Sequence, residues 1–176
     1  MQVSGTPHSR WQVTAVHADG RRDSSTVVMP WTLPMLKLRL DKPAAGNGYD
    51  YTPNDCSVGD VDGDGQYELF VKWEPTNARD NSTDGMTGPV IIDCYKLNLQ
   101  GDGLATRLWR INLGANIRAG AHYTQFMVYD FDGDGCAEMM CKTAPGSVDG
   151  TGRYVNMAAT DSTIIAVDNH RDWRNR

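Results

Sequence analysis

Asp60-Val61-Asp62-Gly63-Asp64-Gly65-Gln66-Tyr67-Glu68 returns 70 residues later as Asp130-Phe131-Asp132-Gly133-Asp134-Gly135-Cys136-Ala137-Glu138. In both copies carboxylates hold positions 1, 3, 5 and 9 of a nine-residue window. Two glycines per copy let the backbone fold tightly enough to bring those oxygens to one point. Four carboxylates that close repel one another unless a cation joins them. Ca²⁺ takes hard oxygen ligands of this kind, with the backbone carbonyl of Gln66 or Cys136 completing the set. Both copies therefore read as calcium loops: Asp60, Asp62, Asp64, Gln66 and Glu68, then Asp130, Asp132, Asp134, Cys136 and Glu138.

An EF-hand is the obvious competitor, and the spacing argues against it. That motif needs a bidentate Glu at position 12 between amphipathic helices. Position 12 is Val71 in one copy and Cys141 in the other. The flanks, Tyr67 to Trp73 and Phe126 to Tyr129, are rich in the aromatic and branched residues of strands. A solvated acidic turn would explain one copy. Two copies with matching glutamates are harder to explain that way.

Working outward on the N-terminal side, three segments alternate with the period of half-buried strands: Trp11, Val13, Ala15; Val27, Met29, Trp31; and Leu36, Leu38, Leu40. Three strands do not readily make a sandwich, so residues 1–43 read as the last part of a small β domain. Residues 44–53, rich in Gly and Pro, read as a linker. From Asn54 short strands follow in regular succession: Cys56 to Val58, Tyr67 to Trp73, Pro89 to Leu97 and Ala105 to Leu113. Four strands in some 60 residues, with almost no helix signal, make one blade of a β-propeller over residues 54–114. The programme restarts at 115–176 with the second loop and Glu138 to Thr143, and Thr163 to Val167 offers a further strand. One blade and part of another do not close a propeller, so a truncated chain is expected.

The 176 residues carry a formal charge of −5, and the two loops hold eight of the 22 acidic residues. Setting those aside leaves 14 acidic against 17 basic residues, a mildly basic remainder. The basic residues are scattered without aromatic interleaving, which speaks against nucleic acid as a partner. No run approaches the ~18 apolar residues of a membrane span, and no signal peptide opens the chain. Cys56, Cys94, Cys136 and Cys141 lack zinc spacing and read as buried free thiols.

At Asn54 to Asp60, Lys72-Trp73-Glu74-Pro75-Thr76-Asn77, Asp80-Asn81-Ser82, Leu108-Trp109-Arg110-Ile111 and the long string Ile117 to Met127, the chain resembles the rhamnogalacturonan lyases of polysaccharide lyase family eleven. The segment up to Asp41-Lys42-Pro43 resembles that family's small N-terminal β domain. The resemblance implies an all-β protein: part of a small β-sandwich, then the first blades of an eight-bladed, calcium-binding β-propeller with a central carbohydrate cleft. It also implies a secreted, extracellular or periplasmic protein, monomeric at full length. The implied activity is cleavage of the rhamnose–galacturonate backbone of rhamnogalacturonan I, a pectic polysaccharide, by β-elimination. Carried over residue by residue, it adds Asp55 to the first calcium loop and places saccharide contacts at Asn54 and Glu74. Glu74 stands where Asp is usual in the family, so its carboxylate reaches one methylene further. An integrin-like propeller, a non-catalytic calcium-dependent binding module, shares the acidic repeat but has no reason to carry the Arg118 to Met127 string.

β-Elimination removes the weakly acidic C5 proton of galacturonate once the neighbouring carboxylate is neutralised, so the site needs a cation and a base. Arg118 and His122 are the candidate catalytic residues: Arg118 could hold a carboxylate, and His122 could bind sugar or shuttle a proton. Both could equally bond the backbone of a tight connection between blades. Lys72 and Lys142 occupy equivalent repeat positions, which favours a shared structural role. Trp73, Trp109 and Tyr123 could stack on sugar rings, although aromatic residues of this kind are more often core. Asn81-Ser82-Thr83 is a glycosylation sequon without meaning in a bacterium.

Overall fold

In the computed structural model the residues described are 10–28, 35, 37–80, 82–98, 105–120 and 122–155. They contain strands and turns and no helix, and every named strand pairing is antiparallel. No helix among them is long and apolar enough to cross a membrane. The chain forms two compact units, residues 1–37 and 38–176. Met29, Trp31, Leu36, Asn81 and the segment from Thr163 to Val167 lie outside the described residues.

In the first unit β1 (Thr14–Val16) pairs with β2 (Arg22–Ser24), and Trp11 bridges Val28. Of the three expected strands only the first meets an observed one among the described residues, β1; β2 lies between the expected segments, Val28 makes only its bridge to Trp11, and Leu38 and Leu40 lie in no strand. Nor did the alternation report burial. Both strands are exposed along their length, and Val13 and Val16 are 75% and 63% exposed. A two-stranded ribbon has no second layer of its own to cover either face.

The second unit is built on a four-stranded meander: β3 (Tyr51–Gly59), β4 (Glu68–Pro75), β5 (Ile91–Leu97) and β6 (Ala105–Asn112), hydrogen-bonded in that order. The expected strands are all present. β3 starts earlier than composition suggested, because Tyr51 is buried and its hydroxyl donates to the Pro89 carbonyl at 2.9 Å. Residues 44–53, expected to be a linker, thus carry Tyr49 and Tyr51 into the packing of the sheet.

Side chains of a central strand alternate between two faces, and both faces of this sheet are covered. One face buries Tyr51, Val71, Trp73, Ile91 and Tyr95. At its centre Asp93, with no exposed surface, accepts from Trp73 Nε1 at 2.8 Å, Tyr95 Oη at 2.7 Å, and Arg110 Nε and Nη2 at 2.7 Å each. Such a charge is tolerable only because it is fully bonded. On the other face Val90, Ile92, Leu113, Ile117 and Ala119 form a second cluster. Trp109 meets Phe70 there edge-on at 5.5 Å.

The second copy of the acidic motif joins β7 (Phe126–Tyr129) to β8 (Glu138–Cys141), a two-stranded hairpin. Phe126, Met139 and Cys141 pack on the second cluster. The four cysteines are free. The expectation that all are buried holds for Cys94, whose thiol burial pushes up to about 12, and fails for Cys56, which is exposed. Cys56 opens the regular pairing just beyond a bulge, on a strand that has one hydrogen-bonded neighbour strand among the described residues.

Candidate functional site

The two acidic loops fold alike, as their identical spacing requires. In the first, Asp60 Oδ1 accepts from the amides of Gly63 and Asp64 at 2.8 and 3.1 Å, and Oδ2 accepts from Gly65 at 2.8 Å. In the second, Asp130 accepts from Gly133, Asp134 and Gly135 at 2.7, 3.1 and 3.0 Å. The turn needs left-handed backbone at Gly63 and Gly65 and again at Gly133 and Gly135, all with positive φ. Glu68 Oε2 closes the first loop by accepting from Val61 at 2.9 Å, and Glu138 Oε2 closes the second from Phe131 at 2.9 Å.

These bonds fix which oxygens remain available. Ligand atoms of Asp60, Asp62 and Glu68 lie within 4.8 Å of one another, as do those of Asp130, Asp132 and Glu138. Glu68 is fully buried, and its Oε1 has no hydrogen-bond partner. A buried, unbonded carboxylate oxygen at the convergence of two aspartates suits a hard cation. Asp64 and Asp134 each spend Oδ1 on the amide two residues ahead, at 2.8 Å in both loops. Their spent oxygens face backbone, so it is Oδ2 that can serve a cation.

Lys96, which the sequence reading passed over, enters the first loop. Its Nζ lies 2.6 Å from Asp62 Oδ2, 2.6 Å from Asp64 Oδ2 and 3.3 Å from Glu68 Oε1. The contact to Glu68 is an ion pair without hydrogen-bond alignment. Bonding to Asp62 and Asp64 raises the Lys96 ammonium well above its usual range, and the same bond lowers Asp64. The signal was present in the strand register: Leu69 pairs with Tyr95, which sets Lys96 beside Glu68.

Asp55 does not gather with the loop. A register shift between Pro53 and Cys56 gives β3 two residues, Asn54 and Asp55, opposite Lys72. Asp55 Oδ2 bonds the ammonium of Lys72, which is 1% exposed and also reaches the Tyr123 carbonyl at 3.4 Å. Asn54 Nδ2 donates to Glu74 Oε2 at 2.7 Å, and Glu74 Oε1 is buried with no hydrogen-bond partner. The two residues placed by resemblance at the saccharide are therefore a bonded pair with an acceptor to spare. Lys142 is exposed where Lys72 is buried, so the equivalent repeat positions do not share an environment.

The Arg118 to Met127 string lies against the loop from 79 to 87. The Arg118 guanidinium is 4% exposed and donates to the carbonyls of Arg79 at 3.3 Å, Gly85 at 2.8 Å, Asp80 at 3.0 Å and Thr83. Ala119 adds bonds to Thr87 and Arg79. Gly120 can carry no side chain, because a Cβ would sit 2.4 Å from the Tyr123 ring. Tyr123 donates to Asp80 Oδ2 at 3.1 Å. Thr124, β-branched, is held at φ 58°, a strained conformation beside the Lys72 contact. His122 is exposed near Asp80, whose carboxyl its field helps to lower. Trp73 is core and Trp109 half-buried; Tyr123, half-buried, bonds Asp80.

Residues 32–166 match the family model described as rhamnogalacturonan lyase family 11, C-terminal domain. The chain belongs to rhamnogalacturonan lyase family 11. It is 55% identical to the rhamnogalacturonan endolyase YesW of Bacillus subtilis (strain 168) over 163 residues, 90% of this chain and 25% of that relative. It is 51% identical to the rhamnogalacturonan exolyase YesX of the same strain, over 92% of this chain and 26% of the relative. The crystal structure of YesW superposes with a TM-score of 0.75, covering 98% of this chain and 28% of that one. That of Bacillus licheniformis rhamnogalacturonan lyase PL11 gives 0.75 at 48% identity, over 99% of this chain and 28% of that structure. The chain thus spans about a quarter of the length of the family 11 relatives it matches.

Proposed function

We propose that this chain is part of a secreted rhamnogalacturonan lyase that cleaves the rhamnose–galacturonate backbone of rhamnogalacturonan I by β-elimination and binds Ca²⁺ at both acidic loops. In this reading the meander β3–β6 is one propeller blade and the β7–β8 hairpin begins the next. The observation that carries it is the family membership, at 55% identity to an endolyase, combined with the polar pair Asn54–Glu74. The integrin-like binding module is not favoured, since both curated relatives are lyases.

Bound Ca²⁺ supplies positive charge that draws the loop carboxylates together and fixes the adjoining strand ends. The chain's own residues then do the rest. Asn54 orients Glu74 through their 2.7 Å bond, and this polar pair stands where the family resemblance puts the saccharide contacts. Arg118 acts as a clamp on the 79–85 loop, since its donors are directed at that loop's carbonyls. His122, which is exposed on the same string, meets sugar or carries a proton in this reading.

The direct test incubates the chain with rhamnogalacturonan I and Ca²⁺ and follows the ultraviolet absorbance of the unsaturated uronate product. Product formation abolished by chelator supports the reading for this chain alone. Silence from this chain, alongside activity of a longer version carrying the remaining family length, assigns the activity to the longer protein. Silence from both overturns the reading.

A further inference from the structure

We propose that Lys96 is a built-in competitor for the cation of the first loop, so that the two acidic loops load with calcium at different concentrations. The inference rests on the calcium reading above and goes beyond it. The two loops share the bonds made by Asp60 and Asp130, Asp64 and Asp134, and Glu68 and Glu138, the second adding one from the Asp134 amide to Asp132 Oδ1 at 3.2 Å, yet their surroundings differ in charge. In the first, the Lys96 ammonium touches Asp62 Oδ2, Asp64 Oδ2 and Glu68 Oε1. For Asp64 and Glu68 these are the oxygens left over after the loop amides of Gln66 and Val61 have taken the others. A primary ammonium in that position stands in for a bound cation: it neutralises the cluster and uses the inward-facing lone pairs.

In the second loop, Asp132, Asp134 and Glu138 present the equivalent oxygens, and among the described residues no cationic side chain lies within ion-pair distance of them. Glu68 gives the first loop a second reason to need a cation. Its side chain is 1% exposed and Oε1 has no aligned donor, so the ammonium at 3.3 Å compensates it only in part. Calcium entering the first loop must displace Lys96, and that displacement costs binding energy which the second loop does not spend. Lys96 is 31% exposed in its side chain and lies near the end of β5, so its ammonium can swing into solvent without disturbing the sheet. The second loop fills first and the first loop follows.

Calorimetric titration of the chelator-stripped chain with CaCl2 tests this, with Asp60→Asn used to silence the first loop and the Lys96 variants compared with the second loop intact. The unsubstituted chain gives a tighter and a weaker site, the weaker removed by Asp60→Asn. Lys96→Gln tightens the weaker site by about tenfold or more, while the tighter site moves by less than about twofold. Lys96→Arg, which keeps the competing charge, leaves the weaker site near its original constant and controls for damage to the fold. Unequal sites unaffected by Lys96→Gln, or two equal sites, overturn the proposal and leave the calcium reading standing. No heat and no binding in any variant overturns both.

Discussion

The amide of Ala137 donates to the carbonyl of Asp60 at 2.6 Å, which ties the end of the second acidic loop to the start of the first. Their junction is closed further by Gly59. A Cβ at Gly59 would lie 2.6 Å from Val128 Cγ1 and 2.8 Å from the Ala137 methyl group. Both neighbours are short branches near the backbone and cannot swing away. Gly59→Ala is therefore expected to destabilise the chain by about 1–3 kcal/mol through overpacking. Urea denaturation of the two proteins checks this. Equal midpoints would show that the hairpin is not seated on the sheet as described.

Asp93 is a fully buried carboxylate on which one face of the sheet is bonded. Asp93→Asn keeps the shape but replaces an acceptor with an amide whose NH2 must face donors from Trp73, Tyr95 or Arg110. Removing one partner of a buried ion pair costs about 3–5 kcal/mol. The same denaturation experiment reads that loss. Arg110→Met combined with Asp93→Asn should recover part of it, whereas strictly additive losses would argue that the two side chains act independently.

Arg118 separates a clamp from a ligand-binding arginine. Lysine is a point charge on a flexible stem and cannot reach carbonyls of Arg79, Asp80, Thr83 and Gly85 together. Arg118→Lys should cost about 1–3 kcal/mol of stability and speed amide hydrogen exchange across residues 79–87. A carboxylate-binding arginine with no structural role would leave exchange in that loop unchanged on the same substitution.

Acid sensitivity follows from Asp80. Its carboxyl is held below the usual value of 3.8, first by the Ser82 amide, then by the Ser82 hydroxyl and by Tyr123. The unfolded chain therefore takes up this proton at higher pH than the folded one. The stabilisation is fully present above the unfolded value and is lost as pH falls through the lowered folded value. Melting temperatures of the parent and Asp80→Asn should differ most at about pH 6 and converge toward about pH 3. A gap that holds constant over that range would remove Asp80 from the acid response.

How far these features were legible in the sequence depends on the reach of each signal. The acidic loops were legible because their ligands and glycines are local and repeated, and the four strands because apolar runs separated by turns mark them. Asp93 was invisible: within the run from Pro89 to Leu97 it looks like one polar interruption, and of its partners only Tyr95 is on its own strand, Trp73 and Arg110 being on the neighbouring strands β4 and β6. Asp55 was placed with the loop by resemblance, whereas the bulge between Pro53 and Cys56 turns it to Lys72. No periodicity announces a bulge, since one extra residue reverses every later side chain. The burial expected of the first strands failed for a related reason, because alternation reports pleat and not what lies opposite.

Calcium removal tests the loops as a pair. A cation that binds only the folded chain adds stability according to its concentration over its dissociation constant, about 2.7 kcal/mol per site at a hundredfold excess. Millimolar Ca²⁺ should raise the melting temperature of the chelator-treated chain, and Mg²⁺ at equal concentration should do so less, since its rigid octahedral preference fits a multi-carboxylate loop poorly. The Ala137–Asp60 bond makes the gain shared: filling the second loop holds Asp60 in place for the first. Asp130→Asn should therefore lower calcium affinity at the first loop as well as abolish binding at the second, the reciprocal coupling expected of linked sites. If the first loop binds with the same constant in Asp130→Asn as in the parent chain, the two loops are structurally joined but energetically separate.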